Sequence, residues 1–206
     1  DFANEVVNRG FKDRVIKTLS GMDGVYSEES FKRALAVEGK EELASLSPGA
    51  FFQRVDSFAQ RILRPDEYTD FTRSTTITRY ENLNRLLKEK NDRALEALGN
   101  VLRGQIPTTP HRAEALRAWF SDLSNQEQLS AISRIDLSNQ NLEVIPPEIG
   151  QLRNLQQLVL SNNQIREIPP EIGQLGSLRE LWLSNNEIRE IPPEIGILVN
   201  LQRLYI

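Results

Sequence analysis

The sequence predicts an α+β chain: an all-α N-terminal helical domain, then a short α/β repeat solenoid with a parallel sheet on its concave face. Three observations predict it. A block of apolar residues recurs every 23 residues through roughly the last third of the chain. Residues 1 to about 128 lack that repeat and space their apolar residues for helices. Each repeat also contains a Pro-Pro pair, which cannot donate to a strand ladder. It therefore divides the repeat into a short strand and a return arm.

From the start of the chain, Phe2 to Leu19 places Val6, Val7, Phe11, Val15, Ile16 and Leu19 near helical spacing. Gly21-Met-Asp-Gly24 reads as a turn. Ser27 to Val37 reads as a shorter helix with Phe31, Ala34 and Leu35 on one side, closed by Gly39. Ser47-Pro48 has the form of an N-cap followed by proline in the first helical turn. From there Phe51, Phe52, Val55, Phe58, Ala59, Ile62 and Leu63 form an apolar stripe that Pro65 ends. Asp66 to Thr78 reads as a short helix and then a loop, because its Thr-rich run is β-branched and polar.

Tyr80 to Leu102 is expected to be the longest helix, with Leu83, Leu86, Leu87, Ala94, Leu95, Leu98, Val101 and Leu102 on its buried side. Gly104 and Pro107 terminate it. Thr109-Pro110 opens a helix carrying Ala115, Leu116, Trp119 and Phe120. Ser124-Asn-Gln-Glu127 has capping-box spacing and starts a last short helix. The open end of a solenoid exposes its core, so Trp119, Phe120 and Leu123 are expected to cover the first coil.

The repeat is explicit. Leu155-Gln-Gln-Leu158-Val-Leu160-Ser-Asn-Asn163-Gln-Ile165-Arg-Glu-Ile168-Pro-Pro-Glu-Ile172-Gly-Gln-Leu175 is followed in register by Leu178 to Leu198. The frame reads back to Ile132 and forward to Leu201. The pattern resembles the leucine-rich repeat (LRR). Its Ile-Pro-Pro-Glu-Ile-Gly turn is similar to the intracellular, Ras-suppressor-like group found also in bacterial LRR proteins. The helix with Arg-Ala-Trp leading into Ile132-Ser-Arg-Ile-Asp-Leu-Ser resembles LRR proteins of some intracellular bacteria. Residues 1 to about 105 carry no family resemblance.

The predicted organisation is a helical domain over 1–105, a helical cap over 106–131, and repeats over 132–206. The coils are 132–154, 155–177, 178–200 and a partial 201–206.

Positions 4 and 6 of each repeat (Leu158 and Leu160, Leu181 and Leu183) fall on one strand face and point inward. Asn163 and Asn186 follow at the bend, where an amide can pair the turning backbone of neighbouring coils. Gly150, Gly173 and Gly196 are expected to permit a tight or left-handed bend near a short helical turn. The first coil has Gln140 in the Asn position. Its amide sits one methylene further out and is expected to serve those partners less well. Leu201 to Ile206 forms a strand with no return arm, so truncation or a covering partner is expected there.

Composition sets limits on function. The 206 residues are 39% hydrophobic and 26% charged, enough for two small soluble domains. A net charge of −4 gives no basic field for nucleic acid, and no apolar run approaches membrane-spanning length. The first residue is Asp1 rather than Met, so the chain is expected to be a piece of a longer protein. There is no cysteine, which excludes disulfides, thiol nucleophiles and cysteine-based zinc sites from these residues. It also rules out the cysteine-dependent ubiquitin-ligase chemistry carried by some LRR effectors that the repeats resemble. The expected setting is cytoplasmic, in a bacterium or, for a delivered effector, in its host.

No catalytic, cofactor or metal constellation emerges. His111 is the one histidine, beside Pro110 at a helix start, with no nucleophile or orienting partner nominated. Gly21-x-x-Gly24 lacks the ending of a phosphate loop. The acidic pairs Glu28-Glu29, Glu41-Glu42 and Asp66-Glu67 read as helix-start charges.

The candidate site is the concave face. Position 5 reads Asp136, Val159, Trp182 and Tyr205. Position 3 reads Arg134, Gln157, Glu180 and Arg203, with Arg179 at position 2. Large exposed side chains in one column suit a protein or peptide partner, or they stabilise the sheet by packing across strands.

The expected function is a non-enzymatic interaction module with no cofactor, nucleic acid or membrane partner. Two alternatives remain open: an enzyme with its site in the helical domain and the repeats choosing its substrate, or an assembly protein that dimerises through the open solenoid end.

Overall fold

The computed structural model describes residues 10–17, 31, 35, 45–74 and 76–206. The expected turn at Gly21–Gly24, the closing Gly39, the pairs at 28–29 and 41–42, and most of the helices expected over 2–19 and 27–37 lie outside them. The chain forms two compact units, 1–89 and 90–206.

In the first unit, residues 10–17 are helical. Helix α1 (Pro48–Ile62) starts as expected: the Ala50 amide donates to Ser47 Oγ at 3.3 Å, with Pro48 in the first turn. Helix α2 (Pro65–Arg73) begins at the proline that ends α1. The Arg64 amide donates to Glu67 Oε2 at 3.0 Å, and Arg64 lies 3.5 Å from Asp66, so this acidic pair serves a helix start.

Helix α3 (Thr76–Arg103) has 28 residues and begins four residues before the expected Tyr80. Residues 76–78 are helical where propensity favoured a loop, because the residues around them anchor that turn. Arg79 donates to the Thr72 carbonyl at 2.9 Å and covers the Phe71 ring, and Tyr80 Oη donates to Asp56 at 3.1 Å. The first unit's core gathers Phe31, Phe51, Val55, Phe58, Leu83 and Leu87, with Phe11 and Phe52 packed against it.

The second unit begins at Lys90, inside α3. Residues of its 90–105 stretch pack with the repeats. Leu95, Leu98 and Leu102 share one buried cluster with Leu116, Phe120 and the repeat core. Helix α4 (Ala113–Ser121) can lie close to α3 because Gly99 has no side chain. A Cβ there would meet Leu116 Cδ1 at 2.7 Å. Buried Lys90 pairs with Glu143 of the first coil. Arg117 pairs with Asp92 and reaches Glu148 at 3.5 Å.

Two expectations for the cap need correction. Leu123 does not cover the first coil: it is 83% exposed, because Leu123–Asn125 form a 3-10 turn leading away from the core. Phe120 is buried and Trp119 packs partly against the same cluster. The capping box at Ser124 also does not form. Asp122 accepts the Ser124 amide at 2.9 Å instead, and the short helix α5 (Gln126–Ser130) has no side-chain cap.

The repeats form one parallel sheet in the order β1 (Arg134–Asp136), β2 (Gln157–Val159), β3 (Glu180–Trp182), β4 (Arg203–Tyr205). Each strand is three residues long. The return arms are 3-10 turns, Pro147–Gln151, Pro170–Gln174 and Pro193–Ile197, each opening on the second proline of its pair. Among the described residues the glycines of these turns show no positive φ. The demand at Gly150 is close approach: a Cβ there would meet the Glu171 carbonyl oxygen of the next coil at 2.8 Å. The left-handed bends fall on asparagines instead, with Asn139, Asn162 and Asn185 at φ 58°, 59° and 60°.

Candidate interaction surface

Strand pairing in register turns the sequence column into a physical one. Arg134, Gln157, Glu180 and Arg203 align, and so do Asp136, Val159, Trp182 and Tyr205. Between these rows, Ile135, Leu158 and Leu181 point inward and are buried. Strand alternation therefore leaves positions 3 and 5 on the open face.

The bend after each strand fixes that face. Asn163 donates to the carbonyls of Leu137 and Leu160 at 2.9 and 2.8 Å, and its Oδ1 accepts the Gln140 and Leu142 amides at 3.0 Å. Asn186 repeats this one coil on: it donates to Leu160 and Leu183 and accepts the Ile165 amide. Gln140 is exposed, and among the described residues its side chain reaches only the Ser138 carbonyl, at 3.4 Å. The longer amide stays outside the bend.

Glu180 is the hub of the open face. Its Oε2 accepts from Gln157 at 2.6 Å and from the Trp182 indole at 3.3 Å, while Oε1 pairs with Arg203. The Gln157 hydrogen bond, then those of Trp182 and Arg203, hold this carboxyl below the ordinary glutamate range. Trp182 stacks on Tyr205 with ring centroids 3.9 Å apart and planes 23° from parallel. The Trp182 ring is thus fixed by a neighbour on its own strand and by another on β4.

At the other edge, Asp136 Oδ1 accepts both the amide and hydroxyl of Ser138, at 3.0 and 2.7 Å. These bonds keep Asp136 below its ordinary range. Val159 is half-buried between Asp136 and Trp182. Arg134 and Arg179 are exposed, and neither guanidinium makes a hydrogen bond or ion pair among the described residues. All nine sequence-nominated residues therefore lie on or beside one sheet face. Asn162 and Asn185, at position 8 of the same face, are joined by a hydrogen bond that the sequence pattern did not show: Asn185 Nδ2 donates to Asn162 Oδ1 at 2.7 Å. The recurring Ser-Asn-Asn marks where they sit, since asparagine tolerates positive φ.

His111 is exposed ahead of α4. Among the described residues no three His, Cys, Asp or Glu side chains group to hold a metal. Nor is any described helix long and apolar enough to cross a membrane.

The leucine rich repeat family matches residues 130–188 and 153–206. The chain carries a leucine-rich-repeat domain. An LRR protein of Leptospira interrogans is 44% identical over 41% of this chain and 21% of its own, with a TM-score of 0.37. An internalin of Listeria monocytogenes is 26% identical over 53% of this chain and 29% of its own, with a TM-score of 0.43. This chain thus spans well under half of either LRR structure. No curated protein matches it.

Proposed function

We propose that the concave face of the LRR sheet recognises a protein or peptide partner and that the chain acts as a non-enzymatic interaction module. The observation that carries this is the stacked Trp182–Tyr205 pair, fixed on an open sheet face by Glu180. Rigid aromatic side chains bind with little ordering cost, and interface hot spots are rich in Trp, Tyr and Arg. The sequence resemblance to LRR proteins of intracellular bacteria extends the proposal to an effector-like protein of a bacterial or host cytoplasm.

The test is the double variant Trp182→Ala with Tyr205→Ala. Binding to a partner should weaken by about 2 kcal/mol or more. Lost stacking should cost folding about 1 kcal/mol beyond the area term. Calorimetric binding and thermal melts separate the two. A melt that collapses, with no binding defect separable from it, would place these rings in sheet stability alone.

A second reading has its own observation. Ile197, Val199 and Ile206 are 62%, 87% and 63% exposed, and Leu204 and Ile191 are exposed beside them. An apolar surface of this kind next to a sheet edge favours self-association. Sedimentation over a concentration series should show a dimer that Leu204→Glu with Ile206→Glu abolishes; a monomer throughout excludes it.

A further inference from the structure

We propose that the partner of the β3–β4 half of the concave face is an acidic, acceptor-rich peptide segment carrying an apolar or aromatic side chain. This rests on the concave-face reading above and adds the partner's chemistry.

The argument is a comparison of donors and acceptors. Among the described residues the acidic group bonded to the aromatic pair is Glu180, and both of its oxygens are engaged: Oε1 with Arg203, Oε2 with Gln157 and Trp182. Its charge is balanced and its lone pairs are directed at residues of this sheet. The donors are in surplus. Arg179, adjacent to Glu180 in the chain, is exposed with no hydrogen bond from its guanidinium among the described residues. Arg203 gives one nitrogen to Glu180, and its side chain remains 58% exposed. The Tyr205 hydroxyl makes no hydrogen bond among the described residues. Asp136 lies on β1, two strands from β3, or roughly 10 Å at ordinary strand spacing.

A partner docking here must supply what the surface lacks, or the desolvated donors remain unpaired. Carboxylates do so best, since guanidinium–carboxylate bonds are charge-assisted and can be bidentate. The stacked rings offer a flat apolar floor for the segment's neighbouring side chain. A basic segment would meet two arginines and an acid already satisfied. The molecule's net charge of −4 does not favour acidic ligands in general, so a preference for them would be local to this strip.

The test uses the full chain and three fluorescein-labelled peptides of equal length. One repeats Glu-Phe-Asp-Gly, one Gln-Phe-Asn-Gly and one Lys-Phe-Lys-Gly. Anisotropy is read at low and high salt for wild type, Arg179→Glu and the Trp182→Ala/Tyr205→Ala double variant, each first shown by its melt to be folded at the assay temperature.

The acidic peptide should bind about tenfold more tightly than the neutral one, as one charge-assisted contact implies, and weaken with salt. Arg179→Glu should erase that preference, and the double variant should erase binding. Neutral or basic peptides that bind as well as the acidic one, still through the aromatic pair, overturn the acidic partner and leave the concave-face reading standing. Acidic binding that survives the double variant, or no binding by any of the three, overturns both. Should a variant be unfolded at that temperature, Arg179→Gln and Tyr205→Leu take their places, with the same outcomes.

Discussion

The first and last coils of this sequence are written in the same repeat and sit in different surroundings. At the N-terminal end the first coil's Ile135 and Ile149 are buried in one cluster with Leu98, Leu116 and Phe120 from the helices. In the last strand Leu204 holds the position of Ile135, Leu158 and Leu181, yet is 37% exposed. Ile195 is only partly buried where Ile149 and Ile172 are wholly so. The residue types match, so the difference is supplied by what stacks on each coil. Burial in a solenoid is a property of a pair of neighbours, and a single coil cannot confer it.

Truncating the same position at two depths is the largest available test of that view. Leu158→Ala should cost about 3 kcal/mol, because the deleted methyl groups leave a cavity that rigid flanking coils cannot close. Leu204→Ala should cost less than about 1 kcal/mol, since water already reaches the site. Urea midpoints with unchanged slopes would measure both. Equal losses would break the comparison and mean that Leu204 is covered in solution, as the self-association reading requires.

The bends give a finer version of the same contrast. Asn163 joins two coils through four short hydrogen bonds to backbone groups. Asn163→Ala would strand several of those groups away from water and should destabilise by about 3 kcal/mol. Gln140→Ala, at the matching place in the first coil, should change stability by no more than about 0.5 kcal/mol. Thermal melts would decide it. A large loss at Gln140 would mean that its single 3.4 Å contact understates its role.

What was legible in the sequence follows this division. The repeat register, the inward Leu positions and the asparagine bonds could be read because each coil's neighbour is another copy of the same code. The concave column was legible for the same reason: alignment at 23 residues is alignment in space. The hub at Glu180 was not, because its partners lie one strand away on each side, and a one-dimensional pattern shows the row without its bonds. The cap was misread where no repeat constrains it. Leu123 looked like core beside Trp119 and Phe120, but the chain turns there and carries it outward. Gly99, placed mid-helix, was a clue to close helix packing that periodicity alone passes over. The start of α3 was missed because threonine propensity is weak beside a buried Tyr80 and an anchored Arg79.

The smallest expected effect separates the covered coil from the open face by acid–base linkage. Glu148 sits beneath Arg117, and burial raises its pKa above the ordinary value, with Arg117 opposing and Glu171 and Asp92 adding to the rise. The folded chain therefore holds this proton more tightly than the unfolded chain. Stability contributed by Glu148 should fall as pH rises from the ordinary glutamate range through the raised value, and stay level above it. Asp136 on the open face behaves oppositely. The Ser138 bonds lower its pKa, so its contribution is present above the ordinary aspartate range and is lost as pH falls through the lowered value. Glu148→Gln should remove the decline just above the ordinary glutamate range, and Asp136→Asn should remove part of the decline just below the ordinary aspartate range. Urea midpoints across pH would show two curves departing from wild type in different windows. Curves that stay parallel to wild type throughout would mean neither carboxyl is coupled to folding, and that the cap's polar contacts contribute little to holding the first coil closed.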